Sequence, residues 1–362
     1  MNESESHKII KVIIIFFTLI FAILAIIACI GTYYGIYFQS FAFFGLFQPI
    51  ISISNILLLI YWVLKKNKWA FIPLFALILN IEYLSSVFQF PKLSKNKVTV
   101  EDPHFRICTY NIKGLNYGLI SLTTSMISEF MKDKKVDILC LQEFEFDSKF
   151  NIDSISRSFD YLPYKSVIVG DKSGLGLAIL SKYKILRSTR IHFGKEGVHA
   201  MSTDLLINGD TVRLFSFHLQ TTNLNQTKFY VRPGNMIWDF AGEMQKSMTV
   251  YESLIHNFQK RVIQADFLRS EINVTPYPTI VCGDMNSNPS SYTYHLVKGR
   301  LKDGFKTCGT GYEYTYNGLF KLYRIDYIFH SDEFQGIEYK SYNLNFSDHR
   351  PVILEVILPK NK

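Results

Sequence analysis

Two hydropathy regimes divide the chain. From Val12 to Leu64 apolar residues run on with no charged residue among them. At about 20 residues per crossing, that is enough for two membrane-spanning helices with a short turn. Gly31, Gly35 and Gln39 mark the turn, and a third apolar stretch, Trp69 to Phe90, follows the basic loop Lys65, Lys66 and Lys68. The pattern predicts a transmembrane region over 1–91 with helices over roughly 9–31, 41–64 and 69–90. Pro73 and Glu82 make the third the weakest spanning segment. Lys8 and Lys11 before the first run resemble a signal peptide, and Ile26-Ile27-Ala28-Cys29 resembles a lipoprotein processing site. The apolar sequence continues far past either cleavage point, which argues against both.

Beyond a short polar linker, 92–103, the apolar period shortens and one domain over 104–362 is expected. Phe105–Tyr110 reads as a strand, Leu119–Met131 has helical spacing, and Val136–Leu141 is a second strand. Strand, helix, strand at this length is a right-handed crossover between parallel neighbours. It sets Asn111 and Glu143 at the carboxyl ends of adjacent strands, where open α/β sheets bind ligands. Strands are expected at Lys165–Val169, Leu175–Leu180, Ala200–Ile207 and Val212–Phe217, with Asn208-Gly209-Asp210 turning a hairpin between the last two. Residues 222–248 are irregular, with Phe229, Tyr230, Met236, Trp238 and Phe240 fit either to touch lipid or to pack locally. Val250–Ile272 reads as a helix. Thr279–Cys282, Tyr323–Phe329 and Pro351–Leu358 complete the strands.

Polar groups collect at the ends of these strands: Asn111, Glu143, His218, Asp284, Asn286, Asp326, Asp348 and His349. Singly, each has an ordinary explanation. Gly-Asp-Met-Asn at 283–286 is also turn chemistry, a lone His218 suits a core, and Asp326 could pair with Arg324. Together they point to one polar site.

Composition and charge narrow the partners. Hydrophobic residues make up 48% of the 362, with 30 Phe and 22 Tyr. Residues 1–97 hold eight Lys against Glu3, Glu5 and Glu82, so of the formal +8 only about +3 falls on the remainder. That is no clustered basic footprint for nucleic acid. Five Cys show no zinc spacing and no disulfide framework: Cys29 sits in a span, and Cys108, Cys140 and Cys282 sit in strands as small hydrophobes. Lysine placement puts Lys8, Lys11 and the 65–68 loop on the cytoplasmic side. A third span then carries the domain out of the cytoplasm, against the counter-signal of Lys92, Lys95 and Lys97.

The motifs TYN to Asn111, LQE to Glu143, SGLGLAILSK at 173–182, SFHLQ with His218, GDMN, RIDYIF with Asp326 and SDHRP with Asp348 and His349 occur in that order. From about Phe105 to Ile357 the chain resembles the endonuclease/exonuclease/phosphatase superfamily, the DNase I-like phosphoesterases. The resemblance implies a four-layer α/β sandwich of two mixed sheets flanked by helices. It also implies a divalent-metal hydrolase of phosphate esters, with Mg²⁺ as the ion and Mn²⁺ as the alternative. Glu143 is then the principal metal ligand, with Asn111 and Asp348 beside it. His349, oriented by Asp326, is a general base or phosphate-binding cation, and Asp284 competes with it for the attacking water. Asn286 and His218 would hold phosphate oxygens. Lys113 stands where some nucleases of the superfamily carry an acidic residue, which puts a second metal in doubt. The expected protein is an integral protein of the plasma (inner) membrane with an extracytoplasmic catalytic domain, acting on a phosphodiester or phosphomonoester, the lipid head group among them. A nuclease of the same fold and a binding protein without catalysis are the alternatives.

Overall fold

The computed structural model describes residues 3–91, 104–113, 120–145, 157–169, 175–193, 200–222 and 240–358. The expected linker 92–103, Ser173-Gly174 and residues 223–239, with Phe229, Tyr230, Met236 and Trp238, lie outside them.

Helix α1 (Glu3–Tyr34) leads into α2 (Gln39–Phe44) and α3 (Gln48–Leu64). Glu5–Tyr34 and Gln39–Leu64 are each long and apolar enough to cross a membrane. The third apolar stretch is two helices, α4 (Phe71–Leu79) and α5 (Ile81–Val87), with Lys68–Leu79 and Ile81–Val87 bent by 67° at Asn80. The Asn80 amide donates to Ala25 O (3.1 Å) and Ala76 O (3.0 Å), so the break is tied to α1. Gly31 is required where α1 meets α2, because a Cβ there would lie 2.3 Å from Phe41 O.

Two six-stranded sheets follow. The first has the order β13-β14-β2-β3-β5-β4, from β2 (His104–Asn111), β3 (Ile138–Glu145), β4 (Tyr164–Ile168), β5 (Leu175–Ser181), β13 (Gln335–Ser341) and β14 (Val352–Ile357). The second has the order β10-β12-β9-β8-β7-β6, from β6 (Lys184–Ile191), β7 (Ala200–Ile207), β8 (Asp210–His218), β9 (Thr279–Asp284), β10 (Lys302–Asp303) and β12 (Asp326–His330). Their facing sides bury one core that includes Phe105, Ile107, Cys140, Leu214, Ile280 and Leu354. The outer face of the first sheet packs on α6 (Ile120–Asp133), and that of the second on α7 (Phe240–Asn273) and α8 (Tyr292–Lys298). This is the four-layer α/β sandwich.

The expected parallel pair β2–β3 is present, with Asn111 opposite Gln142. A second parallel pair, β8–β9, sets His218 opposite Asp284 across the α7 crossover. The 207–210 hairpin closes through Asn208 (φ 52°) and Gly209 (φ 97°). Helix α7 starts ten residues before the expected Val250, so 240–249 continue the helix rather than an irregular excursion. Strands β6 and β13 are both sheet edges that escape sequence reading: β6 has largely exposed side chains and no apolar alternation, and β13 (QGIEYKS) has side chains that are mostly half-buried on both faces.

The apolar helices dock directly on the sandwich. Thr32 Oγ1 donates to Ser290 O (2.6 Å) and Asn288 Nδ2 to Gly45 O (2.8 Å). Strand β1 (Phe88–Gln89), which follows α5, pairs with β11 (Gly311–Tyr312). Buried Arg324 donates to Ser86 O (2.8 Å) while forming a two-pronged ion pair with Asp303 (2.6 and 2.8 Å). The sandwich therefore sits on the end of α1 and the 35–47 connection that follows it. Lys8 lies 24 residues before Thr32, so it is about 36 Å away along the helix.

Candidate active site

The site forms where the two parallel pairs end. In β3 the ladder to β5 shifts register between Leu141 and Phe144, and Glu143 takes a left-handed conformation (φ 50°) inside that irregularity. The bulge turns the carboxylate toward the second sheet. At the end of β9, Gly283 (φ 149°) passes so close to β8 that a Cβ would lie 1.9 Å from Phe217 O. Only glycine lets Asp284 reach the gap between the sheets. Asn286 is also left-handed (φ 51°), and its N–H donates to Asp284 Oδ1 (2.8 Å).

Asp284 Oδ2 is the hub. It accepts from Asn111 Nδ2 (2.9 Å) and Asn286 Nδ2 (3.2 Å), with His218 Nε2 at 3.6 Å and His349 Nε2 at 3.8 Å. Asn111 Nδ2 also donates to Glu143 Oε1 (3.1 Å), and His218 Nε2 lies 3.4 Å from the same oxygen. His349 Nδ1 faces Asp326 Oδ2 at 3.0 Å, and its ring meets Tyr316 edge-on at 5.4 Å. Asp326 pairs with this histidine; Arg324 is taken by Asp303.

Burial alone would push the His349 imidazole down, but the Asp326 and Asp284 carboxylates outweigh it and raise it to about 10. Burial, and then the neighbouring Asp284 charge, pushes Asp326 up against the pull of His349. At neutral pH the geometry therefore holds a cationic imidazolium between two carboxylates.

Among the described residues, two sets of groups bring ligand atoms within 4.8 Å of one another: Glu143, His218 and Asp284, and Asp284, Asp326 and His349. The first combines two carboxylates with one imidazole, and its acidic groups face each other across a single amide. That donor set fits a hard divalent ion, which relieves the repulsion. Asn111 presents its nitrogen to both carboxylates, and its oxygen accepts from Lys113 N (2.9 Å). It bridges the two acids in this arrangement. The Asp348 carboxylate turns to Lys113 Nζ and belongs to neither group. Asn286 is engaged by Asp284 and by Leu219 O (3.1 Å).

A model of the "Endonuclease/Exonuclease/phosphatase family" matches residues 108–349. The chain belongs to that family. Members of this family are divalent-metal-dependent hydrolases of phosphate esters. A second model, a domain of unknown function (DUF8431), matches residues 10–87. No curated protein matches the chain. Solved structures share the fold. An endonuclease/exonuclease/phosphatase family protein from Bacteroides thetaiotaomicron superposes with a TM-score of 0.51 at 17% identity, over 71% of this chain and 99% of that one. One from Beutenbergia cavernae gives 0.51 at 15%, over 71% and 72%. A mannosyl-6-phosphatase from B. thetaiotaomicron gives 0.48 at 18%, over 70% and 99%.

Several participants carry no sequence signal. Thr315 Oγ1 accepts from Asp326 N (3.0 Å) and so fixes the start of β12. Arg261 on α7 is buried and donates to Gln220 O (3.0 Å) and Thr222 Oγ1 (3.3 Å), just behind Asn286. Burial pushes its guanidinium down to about 10 against the pull of Asp284. Ser347 Oγ donates to Asn111 O (2.8 Å) and accepts from His349 N (3.1 Å), joining the two ends of the site. The Ser-Asp-His run was its only cue.

Proposed function

We propose that this protein is a membrane-anchored, Mg²⁺-dependent phosphoesterase that hydrolyses a phosphodiester or phosphomonoester. The observation that carries the reading is the convergence of Glu143, His218, Asp284 and the Asp326–His349 pair on one gap between the sheets. Glu143 would hold the ion, with Asp284 and His218 facing it; Asn111 keeps the two acids in place, and Asp348 supports that edge through Lys113. Mn²⁺ suits the same ligands. When bound, the ion neutralises charge on the phosphoryl oxygens.

The chain's own groups do the rest. His349, kept protonated by Asp326, offers Nε2–H to a phosphate oxygen and stabilises the charge that builds there. Asp284, oriented by Asn286 N–H and Nδ2, takes the proton of the attacking water. His218 stands at the opposite side to orient the phosphate.

The helix arrangement supports the anchoring half. The sandwich rests on the 35–47 connection, at the far end of α1 from Lys8 and Lys11. With those basic residues held in the cytoplasm, the domain is extracytoplasmic at the plasma membrane. The test is turnover by the full chain in detergent with Mg²⁺, using bis(p-nitrophenyl) phosphate, p-nitrophenyl phosphate and duplex DNA. Hydrolysis of either nitrophenyl ester and none of DNA is expected. DNA cleavage alone would replace the reading with a nuclease.

A further inference from the structure

The loop between Tyr316 and Tyr323 puts apolar side chains into solvent beside the site. Phe320 is 93% exposed and Leu319 50%. Leu319, Phe320 and Lys321 take left-handed φ values of 47°, 61° and 59° in succession, and none is glycine. Such a run is strained for L-residues and persists only where something holds it. The backbone is held by Lys321 N–H donating to Gly318 O (3.1 Å) and by anchors on its two flanks, and held so it leaves Phe320 clear of the protein and Leu319 half-exposed.

Its position supplies the partner. On one flank Tyr312 OH donates to Lys321 O (3.3 Å), and Tyr312 pairs with Phe88, the residue directly after α5. On the other flank Tyr323 OH donates to Leu46 O (2.7 Å), between α2 and α3 at the start of the second apolar segment. Both anchors lie where the apolar helices end, and exposed Phe88, paired with Tyr312, meets exposed Phe90 edge-on at 5.1 Å. The inner side of the loop edges the site: Asn317 N–H donates to Asp348 O (2.7 Å), and Tyr316 lies against His349.

We propose that Leu319 and Phe320 dip into the bilayer surface, with Lys321 at the headgroups, and hold the mouth of the site at headgroup level. The phosphate ester that it hydrolyses is then carried by a membrane lipid. This rests on the reading of the chain as a membrane-spanning phosphoesterase. A partly exposed apolar pair with an adjacent lysine, continuous with spanning helices, is the composition of an interfacial contact. A soluble ester needs no such loop.

The experiment uses the full chain in nanodiscs of phosphatidylcholine and phosphatidylglycerol. Tryptophan emission of Phe320→Trp, with the parent signal subtracted, is read with and without acyl-brominated phosphatidylcholine; Leu319→Trp serves as a second variant. Quenching of about twofold or more is expected at the interface depth, and emission unchanged by bromine in both variants overturns the insertion. The double variant Leu319→Ser/Phe320→Ser is then assayed on phosphatidylglycerol and phosphatidic acid vesicles and on soluble bis(p-nitrophenyl) phosphate. At least a tenfold loss on vesicles with the soluble rate retained supports a lipid substrate. Equal losses on both, or a parent chain that turns over the soluble ester but neither lipid, overturns it. A parent chain inactive on every ester removes the phosphoesterase reading and the lipid substrate together, while the quenching still decides the insertion.

Discussion

Replacing Asp326 by Asn tests the electrostatics of the site. The carboxylate lies 3.0 Å from His349 Nδ1 and, with Asp284, lifts the imidazole from 6.5 to about 10 against its own burial. At pH 7.5 about one His349 in 300 is then neutral. In Asp326→Asn the desolvation of a buried ring is opposed by Asp284 alone, and the imidazole falls to its ordinary range or below. Less than about a tenth then stays charged at the same pH. If the imidazolium binds the phosphate, kcat at pH 7.5 drops by at least about tenfold, in step with the lost charged fraction. Activity returns in part toward pH 5.5, where the ring recovers its proton. The assay is the pH dependence of kcat and KM on bis(p-nitrophenyl) phosphate. A variant with parental kcat and an unshifted profile would refute the assignment. The linkage has a stability side as well. A histidine raised in the folded state contributes stability that is fully present below about 6.5 and declines as pH rises to about 10. Parent chain and Asp326→Asn should therefore converge in thermal midpoint as pH approaches 10.

Glu143→Gln should weaken Mn²⁺ binding by at least about tenfold in calorimetry with the fold intact by circular dichroism; unchanged affinity would remove Glu143 from the metal set. Glu313 is buried at the seam, where its N–H donates to Val87 O (2.8 Å), and burial pushes its carboxyl up to about 7 against a hydrogen bond from Ser341. The neutral form is favoured on folding, so stability falls as pH rises from about 4.5 to about 7. Glu313→Gln should recover about 3 kcal/mol at pH 8 in chemical denaturation, and no gain there would contradict the burial. Arg324→Met leaves buried Asp303 unpaired and should cost about 3–5 kcal/mol; a loss under about 1 kcal/mol would show that the pair is not structural. A reporter fused after Lys362 should be active only outside the cytoplasm, and cytoplasmic activity would reverse the placement.

What the sequence showed and what it hid have a common physical cause. The site groups flank buried strands at one end or the other, and buried strands announce themselves by continuous apolar runs such as Thr279–Cys282. Asn111, Glu143 and Asp284 were therefore legible from where those runs stop, and Asp326 and His349 from where the β12 and β14 runs begin. The parallel pair β2–β3 followed from the length of its crossover. Edge strands β6 and β13 were not legible, because the side chains of β6 are largely in solvent and those of β13 are half-buried with no buried face to mark them. The roles of Asn111 and Asp348 depended on which neighbour each faces. Sequence order cannot show that Lys113 reaches Asp348, or that Asn111 turns its nitrogen to two acids. Docking of the sandwich on the end of α1 and the 35–47 connection is likewise built from long-range bonds, Thr32 to Ser290 among them, that leave no periodic trace. The same holds for Arg261, a single basic residue in a long helix whose partners are loop oxygens.

The most direct measurement is the Mg²⁺ dependence of phosphate-ester turnover by the purified full-length chain, run beside Glu143→Ala and His349→Ala. Saturable activation by Mg²⁺, abolition by EDTA and loss of at least about 100-fold in both variants are predicted. Turnover that survives EDTA, or persists undiminished in either variant, would contradict the site described above.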